Sequence, residues 1–172
     1  MTTNEDIRNI QINVRESFTK SPENALNTSK SYAEVTNALV CTYSEGSRKT
    51  IMDMPTIAGG NDEGPTPGFH ARAAISGCVA IGIKQEAIFR QIKCESIKVE
   101  LEMDFDDSAM FGIGENTAAP LNTRLLIKIV SEEEQEKLQN LVDRVLEMDP
   151  YFLALRDSQS VSAELKVLKI MD

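Results

Sequence analysis

The stretch GPTPGFHARAAISGCVAIGIK, residues 64–84, decides how the rest of the chain is interpreted. Two prolines and a glycine open it, and sixteen residues with a single charged side chain follow. This pattern predicts a central helix over residues 67–91, apolar all round in its first two-thirds and therefore buried on all sides. Cys78 lies in the middle of this helix. Two interpretations of it stay open, namely a small apolar core residue and a thiol used for chemistry.

Before this helix, the sequence predicts a polar helix followed by a hairpin. An apolar stripe at helical spacing indicates a helix over residues 4–20, and SPEN (21–24) breaks it. Residues 31–43 and 47–54 are rich in Tyr, Val and Thr, with the turn SEGS (44–47) between them, which is typical of a β-hairpin. Residues 55–67 are dense in Gly, Pro and Asp and predict a long ordered loop.

After the central helix, alternation of apolar and polar residues predicts strands over 95–105, 122–130 and 161–170. SEEE (131–134) predicts a capping box with Ser131 as N-cap, followed by an amphipathic helix to residue 148 and a short turn at 151–155. The strand connections are mostly hairpin-like, which favours an antiparallel α+β fold. We interpret residues 1–172 as one domain, with a helical N-terminal extension (1–30) and a core (31–172).

Composition excludes several classes of function. The net charge of −9 argues against nucleic-acid binding and weighs against anionic membrane surfaces. No apolar run is long enough for a membrane span, and the first residues do not resemble a signal peptide, so we expect a cytoplasmic protein. Three cysteines without a CxxC spacing and a single histidine fit neither a disulfide framework nor a metal site, and no cofactor is expected.

Small residues in the central helix indicate close approach by another backbone. Gly77 and Gly82 each cost about 0.5–1 kcal/mol relative to alanine within a helix. Either a helix of a second copy or this chain's own sheet could pack against them. We favour the second copy, because the predicted elements are too few to surround an apolar helix completely.

The loop GGNDEGPTP (59–67), the cysteine eleven residues after its second proline, and the strand IKVELEMDFDD (97–107) resemble the OsmC/Ohr family. The likeness continues through the SEEE helix and the last strand. It implies an OsmC-like fold, in which antiparallel sheets wrap around central buried helices of an intertwined homodimer. It also implies that Cys78 attacks a hydroperoxide near the dimer interface, that a second cysteine resolves the product, and that a thiol or lipoyl reductant restores the enzyme.

Three departures from the family pattern concern the site. Asp149 stands before Pro150 where the family has its second cysteine, and Gly68 stands where it has a glutamate. The early strand lacks the family's arginine, so Arg48 or an arginine of a second copy would have to serve. A carboxylate at Asp149 would raise the pKa of the Cys78 thiol. Cys94, about 24 Å further along a continuous helix, is too far away to replace the resolving cysteine.

Two functional hypotheses follow from these residues. In the first, the protein is a single-cysteine thiol peroxidase that uses Cys78 and an external thiol, with His70 in the first helical turn as a candidate proton donor or structural hydrogen-bond partner. In the second, the protein is not a catalyst. Its apolar cleft at the dimer interface then binds a small hydrophobic or sulfur-containing ligand, and Cys78 only lines that cleft.

Overall fold

The computed structural model describes residues 2–169. In that part of the chain, four α-helices and five strands follow one another: α1 (Asn4–Lys20), β1 (Tyr32–Val35), β2 (Cys41–Glu45), β3 (Arg48–Met52), α2 (Pro67–Arg90), β4 (Ser96–Asp104), β5 (Asn122–Val130), α3 (Gln135–Leu146) and α4 (Pro150–Arg156). Three short 3-10 helices lie between them, at Pro22–Ala25, Thr56–Ala58 and Asp107–Phe111. The strands form two antiparallel sheets, one in the order β1-β2-β3 and one of β4 and β5. The predicted antiparallel α+β class is confirmed.

The central helix α2 begins and ends where the sequence indicates. The hydroxyl of Thr66 accepts the Phe69 N–H at 3.2 Å, and Pro67 occupies the first helical position, where its missing N–H costs nothing. Gln91 ends the helix in the left-handed conformation at φ 58°. Burial on all sides is wrong for the single chain, because Phe69 and Ile81 remain 52% and 61% exposed.

The core lies on one face of α2. Val79 and Ile83 of α2 meet Leu141 and Val145 of α3, and alternate residues of β4 and β5 cover the cluster from the sheet side. Each such aliphatic side chain contributes about 2 kcal/mol through burial. A Cβ at Gly82 would lie 3.1 Å from Val145 Cγ1, so this glycine lets α2 and α3 of the same chain approach closely.

The hairpin region contains three strands instead of the predicted two. The expected strand over residues 31–43 is interrupted between β1 and β2, where Ala38 adopts a positive φ of 50°. No glycine marks this turn, which explains why the sequence pattern looks continuous. The predicted turn is confirmed in a tighter form, with Gly46 and Ser47 linking β2 to β3.

The predicted capping box is wrong. The Ser131 hydroxyl donates to the carbonyl oxygen of Lys93 at 2.5 Å and accepts the Glu133 N–H at 3.1 Å, so it ties the end of β5 to the end of α2. Helix α3 consequently starts later, with Glu134 at its N-cap and no side-chain hydrogen bond there. The predicted short turn at 151–155 is the seven-residue helix α4.

The predicted last strand does not form within the described residues. Residues 161–169 are exposed and lack regular secondary structure, and Ile170 lies outside the described part of the chain. Val161, Leu165, Val167 and Leu168 are each at least 77% exposed. An alternating segment becomes a strand only beside a partner strand, and the described chain offers it none.

A buried aspartate organises the loop that leads into α2. Asp53 is 1% exposed, and its carboxylate accepts the backbone N–H groups of Met54, Asn61 and Glu63 at 2.7–3.2 Å. Burial opposes its ionisation, but these donors outweigh burial and lower its pKa. Gly60 is required in this loop, because a Cβ there would overlap the carbonyl oxygen of Met54.

Candidate functional site

A cleft of about 480 Å³ separates α1 from α2 and from the junction between α3 and α4. Its walls are mostly apolar, with Cys78 partly buried on the α2 side. The lining side chains come from α1 (Ile10, Gln11, Val14, Arg15), from α2 (Cys78, Ile81, Gly82, Gln85, Glu86) and from the α3–α4 region (Val145, Met148, Asp149, Pro150). The cleft has the size and polarity of a site for a small organic molecule.

Asp149 lies against Cys78. It is the N-cap of α4, where its carboxylate accepts the N–H groups of Tyr151 and Phe152 at 3.1 and 2.8 Å. It is only 4% exposed. The Cys78 thiol lies in the same cleft, close enough to this carboxylate for Asp149 to affect its ionisation. One carboxylate therefore both caps a helix and places a negative charge near the thiol.

This environment keeps Cys78 protonated. Burial is the largest cause and the nearby Asp149 carboxylate is the second; together they raise the pKa of Cys78 from 9.0 to about 11. At pH 7 about one Cys78 side chain in ten thousand is then a thiolate, the form that acts as a nucleophile. Thiolate chemistry at Cys78 therefore depends on this minor form at neutral pH.

The cation in this cleft comes from the N-terminal helix. Arg15 Nη2 lies 2.7 Å from Glu86 Oε2, and the guanidinium stacks over the Phe89 ring at 3.8 Å from its centroid. Sequence reasoning missed Arg15, which is 63 residues away from Cys78. One signal could have found it: Arg8 and Arg15 are seven residues apart and lie on one helix face beside the apolar stripe. Arg8 Nε also reaches α2, donating to the carbonyl oxygen of Phe89 at 3.2 Å.

The buried carboxylate of Glu86 forms ion pairs with three arginines. Its side chain is 4% exposed; Oε2 binds Arg15, while Oε1 accepts from Arg90 Nε at 2.6 Å and from Arg144 Nε at 2.9 Å. Burial opposes its ionisation, but the arginine hydrogen bonds outweigh burial and lower the pKa of Glu86. Three guanidinium groups therefore compensate the charge of one buried carboxylate, and of the three arginines only Arg15 lines the cleft.

The other predicted site residues lie elsewhere. His70 packs edge-on against Phe69 in the first turn of α2, and its Nε2 is buried without a hydrogen-bond partner. Gly68 faces the Arg72 side chain, and Arg48 begins β3 on the surface. None of these three is among the described residues that line the cleft. Of the predicted residues, the structure brings together Cys78 and Asp149.

The remaining cysteines occupy different surroundings. Cys94 is buried in the core cluster, where burial raises its pKa. Cys41 lies in β2 and is partly buried. Within residues 2–169, no three His, Cys, Asp or Glu side chains are grouped so that they could hold a metal ion. No helix in that part of the chain has both the length and the hydropathy to cross a membrane.

Residues 59–164, more than half of the chain, match the family model described as OsmC-like protein. Among solved structures, an OsmC-like protein from Mycoplasma pneumoniae aligns with a TM-score of 0.64 at 13% identity, over 76% of this chain and 88% of that chain. An organic hydroperoxide resistance protein from Legionella pneumophila aligns with a TM-score of 0.52 at 20% identity, over 76% and 90%.

A third similar structure is an organic hydroperoxide resistance protein from Elizabethkingia anophelis, described with crystallant-derived thiocyanate bound. Its TM-score is 0.54 at 19% identity, over 76% of this chain and 89% of that chain. At these identities the likeness shows a shared fold. No curated protein matches the chain significantly.

Proposed function

This chain belongs to the OsmC-like protein family, and we propose that it reduces organic hydroperoxides at Cys78, slowly at neutral pH, with an external thiol or lipoyl reductant. The observation that carries the proposal is the position of the Cys78 thiol, partly buried on the wall of a cleft that fits a small organic molecule. Similar structures named organic hydroperoxide resistance proteins support the choice of substrate class.

The cleft suits a hydroperoxide with an apolar carbon chain. Ile10 and Val14 on one wall and Val145 and Met148 on the other offer aliphatic surface to that chain. The peroxide group would lie beside Cys78, where the wall is polar. Burial of the carbon chain then supplies the binding free energy, at roughly 25 cal/mol per Å² of apolar surface.

In the chemical step, the Cys78 thiolate attacks the terminal peroxide oxygen. A sulfur–oxygen bond forms, the oxygen–oxygen bond breaks, and the departing alkoxide takes a proton from solvent to become an alcohol. Cysteine is thereby oxidised by two electrons to a sulfenic acid, and the hydroperoxide is reduced by two. Asp149 opposes this step by stabilising the thiol, which is why the reaction is slow.

A single cysteine serves in this cycle. Asp149 lies against Cys78, and Cys94 is buried in the core cluster, which does not include Cys78. The sulfenic acid is therefore restored from outside: one thiol of a dithiol attacks the Cys78 sulfur and water leaves. The second thiol then displaces Cys78 and closes the disulfide of the reductant.

The test is consumption of cumene hydroperoxide across a range of pH, with a dithiol as reductant and Cys78→Ser as the control. Below the thiol pKa we expect the rate of hydroperoxide consumption to rise about tenfold per pH unit, because the thiolate fraction of Cys78 rises by the same factor. Mass spectrometry should find sulfenic acid on Cys78 when reductant is omitted. Equal consumption by the wild type and Cys78→Ser would refute the proposal.

The second candidate is a binding protein without turnover, and the raised pKa of Cys78 favours it. In that case an apolar ligand stays in the cleft and Cys78 is part of its lining. Native mass spectrometry at neutral pH would then show a retained, unreacted ligand. Hydroperoxide would survive even at about pH 10, one unit below the thiol pKa, which separates this candidate from the first.

We also propose a homodimer in which a second copy covers the exposed face of α2. Phe69 and Ile81 are more than half exposed on this helix, and a Cβ at Gly77 would meet nothing within 4 Å in the single chain. Light scattering during size-exclusion chromatography should give twice the mass of the chain. A monomer at micromolar concentration would contradict this part of the proposal.

A further inference from the structure

The N-terminal helix forms one wall of the Cys78 cleft, yet it is weakly packed. None of its residues is buried, and it packs mainly against α2. Ile10 and Val14 line the cleft while remaining 57% and 42% exposed. Since little apolar surface is fully buried under α1, moving this helix away from the cleft exposes little new apolar surface to water.

Polar contacts near the C-terminal end of α2 hold α1 in place. Arg15 binds Glu86 at 2.7 Å and stacks on Phe89, and Arg8 donates to the carbonyl oxygen of Phe89. These contacts act at a few points rather than along the helix. Residues 22–31, which connect α1 to β1, are exposed and contain only one short helical turn, so the connection can follow a displacement.

The buried charge of Glu86 remains compensated when Arg15 moves away. When Arg15 leaves, Glu86 Oε1 still accepts from Arg90 and Arg144 at 2.6 and 2.9 Å. A buried carboxylate that lost its last partner would be strongly destabilised, but this one keeps two. Arg15 and its helix can therefore detach without leaving an unpaired charge in the interior.

We propose that α1 determines which molecules reach Cys78: it is a movable wall, held by Arg15, that admits bulky ligands only when Arg15 leaves Glu86. Small ligands enter the cleft with α1 in place. The wall consists of Ile10, Gln11, Val14 and Arg15. This inference rests on the proposed function only in taking Cys78 as the residue that ligands must reach, and its test requires no turnover.

The experiment compares two neutral reagents with the same reactive group, N-ethylmaleimide and the larger N-(1-pyrenyl)maleimide. Labelling is read on the tryptic peptide 73–84, which contains Cys78 and no other cysteine. For Arg15→Met we expect the pyrenyl reagent to label Cys78 about fivefold faster than in the wild type, which corresponds to losing an ion pair whose arginine is partly exposed, with the ethyl reagent nearly unchanged. A change in thiol ionisation would alter both rates equally.

Arg90→Met and Arg144→Met are the matched controls, because each also leaves Glu86 with two arginines, and among the described residues the ion pairs of both arginines go to Glu86 and not to α1. Both should keep the wild-type ratio of the two labelling rates. A second test uses the wild-type protein. Raising the salt concentration weakens the ion pair of Arg15 and should increase the labelling rate of the pyrenyl reagent but not that of the ethyl reagent. An unchanged ratio in Arg15→Met and at high salt, or an equal rise in all three variants, would overturn the proposal.

Discussion

Replacing Asp149 with asparagine should make Cys78 more reactive. Asparagine has the same shape and still caps α4 through its carbonyl oxygen, so the helix should persist. What changes is the negative charge beside the thiol. Of the rise in the Cys78 pKa from 9.0 to about 11, burial remains in the variant, and we assign about one unit to the carboxylate.

One unit of pKa corresponds to about 1.4 kcal/mol and to about tenfold more thiolate at neutral pH. The assay is the rate at which iodoacetamide alkylates Cys78, followed on peptide 73–84 between about pH 7 and pH 10. The profile of Asp149→Asn should lie about tenfold above that of the wild type at pH 7 and still about fivefold above it at pH 10, because the wild-type thiol is mostly protonated up to about pH 11.

Asp157→Asn is the control, because Asp157 lies at the opposite end of α4 and pairs with Arg156 on the surface. It should leave the alkylation profile of Cys78 unchanged. Alkylation of Asp149→Asn no faster than that of the wild type at neutral pH, with an intact fold by circular dichroism, would refute the effect of the carboxylate on the thiol. Equal acceleration of alkylation in Asp157→Asn would refute it as well.

Three further outcomes are expected. Asp149→Cys places a second thiol close to Cys78, so one equivalent of hydroperoxide should produce a disulfide between the two thiols. Mass spectrometry should detect this disulfide as the loss of two hydrogens. A persistent sulfenic acid on Cys78 would contradict this geometry. Glu86→Gln leaves three arginines around a neutral group and should lower the free energy of unfolding in urea by about 2 kcal/mol. This loss is smaller than that for a fully buried ion pair, because the arginines are partly exposed. The control Glu136→Gln, at an exposed position, should have little effect. Gly77→Ala should stabilise an isolated chain by about 0.5–1 kcal/mol, but it should weaken a homodimer that packs on Gly77, as dilution during light scattering would show.

The sequence predicted correctly those helices and strands that are determined by residues within or next to them. The start of α2 follows from Pro67, and β4 and β5 follow from alternation, whereas the left-handed conformation of Gln91 that ends α2 carries no sequence signal. Where a distant residue competes, the pattern fails: Ser131 has the right spacing for a cap, but its hydroxyl bonds to Lys93 instead. The segment 161–169 alternates as a strand does, but strand formation depends on a partner that its own sequence cannot supply.

The candidate site was predictable only in part, for the same reason. The family resemblance, which matches Asp149 to the second cysteine, predicted a carboxylate near Cys78, and in the structure both residues line one cleft. The contribution of α1 could not be read from the pattern around Cys78, because Arg15 reaches the cleft through tertiary packing. Glu86 was also hidden, since a glutamate within an apolar helix resembles a surface position until its three arginines are known.

The shared carboxylate of Glu86 makes three helices thermodynamically interdependent. Its arginines belong to α1, α2 and α3, so each ion pair changes the value of the other two. Substituting a single arginine costs little while two remain, but a second substitution costs more than the first, because the last guanidinium alone must then compensate the charge. The changes in unfolding free energy caused by substitutions at these positions will therefore not add. A small effect of one arginine substitution will not predict the larger effect of removing a second arginine.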